Sequence, residues 1–432
     1  PALAPLGAAI VLALALPAHA QTAPAGATDL DAVIVTGTRA TDRTALESTS
    51  PIDVLNGELG SALQALLPSL NFPRQSNSGG ADHIRAAQLR GLSPNQVLVL
   101  VNGKRRHTSA LVNTGSKTGK GTTPVDFNAI PVSAIKRIEV LRDGAGAQYG
   151  SDAVAGVINV ILNDAPEGGA WEASYGLHRT DVEPINQTLT DGQTTFFSGQ
   201  VGDRIGSEGG FFRVGFEYKN REGTNRAGFD QIPFFEEQTP DNLALAGKRN
   251  YHLGDGDSKA LNAWINSVVP LNESAEFYAF GTYHQSDTRG ANYFRYPDGV
   301  ANWKEVYPDG YRPISIGQNL DVAGVGGVRG QWGAWDFDAS LNYGRNAFTY
   351  RLANSLNASL GPGSPTRFNT GSYEFQQTLA NFDVSRGFDS GNNQHTFATG
   401  VEFRREEFDT GAGHAASYAA GPYTDRPTGS QP

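Results

Sequence analysis

The chain contains neither cysteine nor methionine. Without cysteine it can form no disulfide and no thiolate metal site, a composition that suits an exported protein. Because methionine is missing even at position 1, we expect the natural start to lie upstream and the sequence to be a fragment. The net charge of −10 argues against nucleic-acid binding, which needs a dominant basic face.

Long apolar runs are scarce. The run Leu6–Leu16 is shorter than the roughly 20 residues of a membrane-spanning helix. Pro17 breaks it, and residues 18–20 form an A-x-A cleavage site. We therefore interpret residues 1–20 as a secretory signal whose basic start is missing, the alternative being a buried helix. Since the rest of the sequence holds no longer apolar run, any membrane span is expected to be a β-barrel.

Glycine and aromatic residues are plentiful, which favours β-structure over a helix bundle. The chain has 52 glycines, and 10% of its residues are aromatic. From residue 168 onward, segments of roughly 10 residues alternate between apolar and polar positions, as in Phe212–Lys219. The pattern recurs at residues 335–344, 380–385 and 397–404. We count roughly nine such strands between residues 170 and 410.

A soluble β-sandwich shows the same alternation, with its apolar face turned inward. The spacing of the turns separates the two interpretations. Short links at residues 206–209 and 270–274 alternate with long excursions at 224–257, 285–313 and 356–370. Short turns at one end and long loops at the other are typical of outer-membrane barrels. We therefore predict part of an antiparallel transmembrane β-barrel over residues 168–432.

Residues 44–165 have the pattern of a compact α+β domain. Strands are predicted at 51–55, 97–101, 135–141 and 154–162, and a helix at 61–67 that Pro68 ends. A glycine-rich turn at 143–150 separates the last two strands. The polar loops at 74–83 and 104–124 are long for a compact domain, and loops of that length are usually functional or mobile.

A short β-prone run stands alone ahead of this domain. Its residues are Ala32, Val33, Ile34, Val35 and Thr36, within a small, polar stretch at 21–43. An isolated strand needs the edge of another sheet to pair with. The alternatives are the first strand of the following domain and a linker that happens to contain valines.

Two blocks in the α+β domain resemble the plug of TonB-dependent outer-membrane receptors. The first is Leu89-Arg90-Gly91 followed by VLVLVNG at 97–103, and the second is IKRIEVLR at 135–142 with YGS at 149–151 and GVINV at 156–160. The resemblance implies a plug at 44–165, a TonB box at Ala32–Thr36 within a periplasmic segment at 21–43, and a barrel of about 22 strands, more than half of them beyond Pro432. Two departures are Asp143-Gly144, where the family usually has Gly-Pro, and a short connection at 54–61.

The resemblance also implies where substrate binds, since the apical loops of such plugs touch it. The candidate substrate-binding residues in and beside those loops are Arg74, Gln75, Asn77, His83, Arg105, Arg106, His107, Lys117 and Lys120. Their clustered positive charge favours an anionic ligand such as a ferric chelate, the alternative being ordinary solvated loops. Arg90 and Arg142 are expected to pair with acids of the barrel wall, or else locally with Asp143 or Glu139.

The expected function is TonB-dependent import of a scarce nutrient across the outer membrane of a Gram-negative bacterium, with the plug gating the barrel. The alternatives are a ligand-sensing receptor and a passive porin. The expected partners are TonB with its inner-membrane energising complex, outer-membrane lipid and a small-molecule ligand, and we expect a monomer. Glycine-rich stretches at 115–120 and 144–146 lack the strand–helix context of nucleotide-binding loops. We therefore expect no enzyme activity, catalytic residue, metal or cofactor.

Overall fold

The computed structural model describes residue 36 and residues 52–55, 67–78, 80–114, 119–142, 146–207, 209–231, 237–391 and 393–430. The predicted signal, box residues 32–35, most of the helix at 61–67 and Lys117 lie outside these residues. In this part of the chain, no helix has both the length and the apolar character needed to cross a membrane.

The N-terminal domain is built on a five-stranded sheet. Its strands are β1 (Ile52–Leu55), β4 (Val97–Val101), β5 (Lys104–Arg105), β6 (Ile135–Leu141) and β7 (Gly156–Leu162), in the spatial order β1-β6-β7-β4-β5. β4 and β7 are parallel, and the other pairs are antiparallel. The short strands β2 (Leu70–Asn71) and β3 (Gln88–Leu89) pair separately, and a one-turn helix α1 (Gly146–Tyr149) precedes β7. The strands predicted at 97–101 and 135–141 are confirmed.

The centre of this sheet is apolar on both faces apart from the buried pair Glu139 and Asn159. Every residue of β4 and β7 is buried, in agreement with their continuous valine, leucine and isoleucine runs. Gly156 begins β7 with a φ of +134°, and a Cβ there would lie 2.4 Å from the carbonyl oxygen of Leu141. Only glycine therefore allows β7 to start this close to β6.

The second part of the chain is a sheet of nine strands in sequential antiparallel order. The strands are β8 (Gly168–Val182), β9 (Gln187–Ile205), β10 (Gly210–Arg221), β11 (Asp257–Asn272), β12 (Ala275–Ala291), β13 (Ile314–Trp332), β14 (Trp335–Ala353), β15 (Arg367–Ser390) and β16 (Asn393–Ala412). β8 and β16 are the edges of the described sheet. The predicted α+β domain followed by about nine barrel-type strands is confirmed.

The connections alternate in length between the two ends of the sheet. At one end the strands are joined by tight turns at 206–209, 273–274, 333–334 and 391–392. At the other end the connection at 183–186 is short, but those at 222–256, 292–313 and 354–366 are long, and the connection at 222–256 carries the short helix α2 (Pro240–Leu243). We call these the short-turn end and the long-loop end.

The two faces of the sheet are reversed relative to a soluble sandwich. On β14, Leu341 and Tyr343 point away from the N-terminal domain and are 58% and 40% exposed, whereas Asn342 and Asn346 face that domain and are buried. β12 repeats the arrangement, with Phe277 exposed and His284 buried. The polar face is covered by the N-terminal domain and the apolar face is left uncovered, which matches a transmembrane barrel wall and not a sandwich.

Candidate functional site

The plug loop that begins at Lys104 runs along the polar face of the sheet over residues 104–114. At the short-turn end, Nζ of Lys104 lies 3.0 Å from Oδ1 of Asp338. Further along β14, Oδ1 of Asn346 accepts a hydrogen bond of 2.7 Å from the backbone N–H of Ala110. The loop therefore extends from the short-turn end toward the long-loop end, held by side chains of the sheet.

A buried ionic cluster holds this loop at mid-height. Arg106 Nη2 lies 2.5 Å from Asp321 Oδ1, and His107 Nε2 lies 2.9 Å from Asp321 Oδ2. All three side chains are less than 5% exposed. Arg106 also donates to the hydroxyl of Thr282 at 2.8 Å. A ligand could reach Arg106 and His107 only if this contact opened.

Asp126 extends the polar contact toward the long-loop end. It accepts hydrogen bonds from the backbone N–H of Arg85 at 2.9 Å and from Asn319 Nδ2 at 3.0 Å. Asn346 donates to both Asn319 and Asp321 at 2.9 Å, and so joins Asp126 to the ionic cluster. Burial raises the pKa of Asp126 to about 7, in spite of the backbone hydrogen bonds that oppose the shift.

A cavity of about 310 Å³ opens between the N-terminal domain and strands β9 to β12 near the long-loop end. Four cationic side chains and three carboxylates line it: Arg74, Arg85, Lys219, Arg221, Asp82, Glu217 and Asp255. Asp255 lies 2.8 Å from Arg74 and 3.8 Å from Arg221. We call this space the cationic cavity.

Arg85 is the cation of this cavity whose positive charge is least compensated by nearby acceptor groups. Burial, followed by the positive charge of Arg74, lowers the pKa of Arg85 to about 10. Across the ranges that the structure describes, its guanidinium makes no hydrogen bond, and the Asp255 carboxylate is already bonded to Arg74. An anion entering the cavity would supply the partner that Arg85 lacks.

Comparison with known proteins identifies this arrangement. The profile of the TonB-dependent Receptor Plug Domain matches residues 47–157. The N-terminal domain is therefore a plug of the TonB-dependent receptor type. The nine-stranded sheet is barrel wall, and the predicted location in the outer membrane of a Gram-negative bacterium is confirmed.

Similar proteins are receptors and transporters. The chain is 28% identical over 234 residues to the ferrienterobactin receptor of Escherichia coli (strain K12), a match that covers 52% of this chain and 29% of that protein. It is 34% identical over 161 residues to the vitamin B12 transporter BtuB of Vibrio vulnificus (strain CMCP6), covering 37% of this chain and 24% of the transporter. The chain thus matches less than a third of the length of these relatives.

Solved structures show the same fold. A crystal structure of a mutant of the ferric enterobactin receptor PfeA from Pseudomonas aeruginosa superposes with a TM-score of 0.58 at 17% identity, covering 89% of this chain and 53% of that one. The siderophore receptor PirA from Acinetobacter baumannii gives a TM-score of 0.55 at 16% identity, covering 84% of this chain and 49% of that one.

The plug loop at 74–83 lies beside the cationic cavity, against the long barrel connection at 222–256. Arg74, Gln75 and His83 line the cavity. Asn77 Nδ2 donates to the backbone carbonyl of His252 at 2.8 Å. His83 is buried, its Nδ1 lies 2.6 Å from Thr288 Oγ1, and burial lowers its pKa. These four residues lie together on the long-loop side, and their contact with substrate stays a prediction.

The remaining predicted site residues are dispersed. Arg105 Nη1 lies 2.5 Å from Asp152 Oδ2 within the plug, and Asp152 is also 3.3 Å from Arg404 of β16. Lys120 is exposed. Arg85 and Arg221 were missing from the predicted set, because nothing in the sequence shows that the end of β10 faces the chain after His83.

Arg90 and Arg142 were predicted to pair with the barrel wall, and that stays a prediction. Arg90 has a φ of +55° and donates to the backbone carbonyl of Val154 at 3.3 Å, within the plug. Charged contacts between plug and wall include those of Lys104, Arg106 and His107, and the pair of Asp152 with Arg404. In the described ranges, no group of histidine, aspartate and glutamate side chains is arranged to hold a metal ion.

Proposed function

We propose that the full-length protein imports an anionic small molecule across the outer membrane, with TonB supplying the energy from the inner-membrane proton gradient. The observation that carries the proposal is the reversed sheet, whose polar face holds a plug and whose apolar face is uncovered. A protein that only formed a pore would have no use for a domain bonded across its lumen by Arg106 and Asp321.

The proposed substrate site is the cationic cavity. It lies at the long-loop end, which faces the cell exterior in outer-membrane barrels. Arg85 offers a guanidinium without a hydrogen-bonded partner in the described chain, and Arg74 and Arg221 add positive charge. Ferric chelates are one such class of anionic ligand, and relatives of this chain carry ferric enterobactin in their names.

The proposed division of the chain follows from this function. Residues 1–20 would direct export, 21–43 would present the TonB box to TonB in the periplasm, 44–165 would be the plug, and 168–432 would be barrel. Substrate binding would precede a pull on Ala32–Thr36 that displaces the plug. Outer-membrane lipid would cover the apolar face, and a single copy would suffice for transport.

Deletion of Ala32–Thr36 from the full-length receptor tests the proposal. Cells carrying this deletion should bind radiolabelled ferric enterobactin, an anionic chelate, at the surface as the parent does, and should lose its uptake. The matched control deletes Thr22–Gly26, five residues of the same polar segment. Uptake by the box deletion at the parent rate would refute energised import through this box.

A further inference from the structure

Thr36, the last residue of the predicted TonB box, is fixed in the plug. Its side chain is fully buried. The hydroxyl donates to Oε2 of Glu139 at 2.5 Å and accepts from Nδ2 of Asn159 at 2.9 Å. Both hydrogen-bonding capacities of the hydroxyl are therefore used, one of them by a carboxyl group.

Glu139 and Asn159 form a polar pair on an otherwise apolar face of the plug sheet. They are direct partners across the antiparallel strands β6 and β7, and both are fully buried. The same face carries the apolar cluster of Leu98, Leu100, Leu141, Ala153 and Val157. A buried carboxyl and amide are costly unless bonded. Arg137 pairs with Oε1 of Glu139 at 2.8 Å, and the hydroxyl of Thr36 supplies the bond to Oε2.

The pair is connected onward to the barrel wall. Oδ1 of Asn159 accepts from the backbone N–H of Gly103, in the turn between β4 and β5, at 3.0 Å. Next to Gly103, Lys104 lies 3.0 Å from Asp338 of β14. A continuous series of polar contacts thus runs from Thr36 across the plug sheet to a turn attached to the wall.

We propose that Thr36, Glu139 and Asn159 form a latch, a hydrogen-bonded contact that transmits force from the residues preceding Thr36 to the plug. The inference rests on the proposed function, because it takes Ala32–Thr36 as the segment that TonB pulls. Force on Thr36 acts on two adjacent strands of the five-stranded sheet and, through Asn159, on the turn at Asn102–Lys104. Glu139 and Asn159 are thereby positioning residues for transport, and neither contacts the ligand.

The latch can be tested without ligand or TonB. Because the chain has no cysteine, Val33→Cys introduces a single thiol into the full-length receptor. In this background Thr36→Val removes the hydroxyl at nearly constant size, and the maleimide labelling rate of the thiol should rise about tenfold, as expected for loss of a hydrogen bond to a charged group. Thr36→Ser, which keeps the hydroxyl, should label at the parent rate.

A second variant separates the latch from the box sequence. Asn159→Leu removes the amide from the plug and leaves Ala32–Thr36 unchanged, so it should accelerate labelling in the same way. Labelling of Thr36→Val and Asn159→Leu at the parent rate would overturn the latch. If the proposed function is wrong, the box deletion will take up ligand at the parent rate. The labelling result does not depend on that measurement, so the two failures can be told apart.

Discussion

Arg106 differs from the exposed plug cations in how it is held. Its guanidinium and the Asp321 carboxylate are removed from water together, and His107 and Asn346 occupy the second carboxylate oxygen. A buried charge is tolerated only when partners replace its hydration. The pair therefore attaches the plug loop to the wall, and it holds only while both charges stay together.

Substituting Arg106 should release this attachment. Arg106→Met leaves the buried Asp321 carboxylate without its guanidinium partner, with His107 and Asn346 remaining, and we expect the free energy of unfolding to fall by about 3–5 kcal/mol. Urea denaturation of the purified full-length receptor measures the change. The control Lys136→Met breaks an exposed ion pair with Asp164, whose atoms lie 2.7 Å apart. Loss of an exposed pair lowers the free energy of unfolding by about 0–1 kcal/mol. Equal losses in the two variants would contradict the buried role of Arg106.

We expect Arg85 to determine the affinity for an anionic ligand and to have little effect on folding stability. Arg85→Gln removes the charge that an anion would meet in the cationic cavity, and affinity for an anionic ligand should fall about tenfold or more. Equilibrium binding of radiolabelled ferric enterobactin to outer-membrane vesicles measures it. Lys136→Gln, which changes an exposed cation outside the cavity lining, should leave affinity nearly unchanged. A larger loss of affinity in the control variant would indicate that the ligand binds outside the cationic cavity.

The sequence predicted which loops carry cations but not which cations are accessible. Arg105, Arg106 and His107 are consecutive, yet one pairs within the plug and two are buried against Asp321. That difference depends on Asp321, which lies more than 200 residues further along the chain. Local pattern gives no information on such a contact, and for the same reason Arg85 was not among the predicted residues.

At the scale of elements, the sequence predicted the strands but not how the plug packs against the barrel wall. A continuous apolar run predicted β4, and alternation predicted the barrel strands, because burial on two faces or on one leaves a direct pattern in the sequence. The fit between β14 and the plug loop depends instead on one small residue. A Cβ on Gly344 would lie 2.2 Å from His107 Nδ1, so the loop packs directly on the strand backbone.

Gly344→Ala should therefore loosen the plug. The added methyl group must displace the His107 ring, and overpacking of this kind costs about 1–3 kcal/mol. Limited proteolysis of the plug in the purified receptor should proceed faster than in the parent. Gly324→Ala is the matched control on the neighbouring strand β13, where a Cβ would meet no atom within 4 Å. Faster proteolysis in the control alone would contradict the proposed packing.

At the scale of the whole molecule, the reversed faces are the property that places the protein in a membrane. Alternation alone was compatible with a sandwich, and the plug on the polar face decides between the two. Leu341 lies mid-strand on the apolar face and is 58% exposed.

A charge at Leu341 should impair insertion. Leu341→Arg should lower the stability of the full-length barrel in lipid vesicles by ~2–4 kcal/mol, as expected for an arginine near the bilayer midplane. Folding titrations in vesicles measure this, with Leu341→Ala as the control for loss of side-chain volume. If Leu341→Arg lowers the stability no more than Leu341→Ala does, this face does not contact lipid.

The most direct test of energised import is binding of the soluble C-terminal domain of TonB from the source bacterium, because it requires no knowledge of the ligand. The account predicts saturable binding to the full-length receptor in detergent, loss of that binding when Ala32–Thr36 are deleted, and retention when Thr22–Gly26 are deleted. Binding that survives removal of Ala32–Thr36, or is absent from the intact receptor, would contradict the central claim.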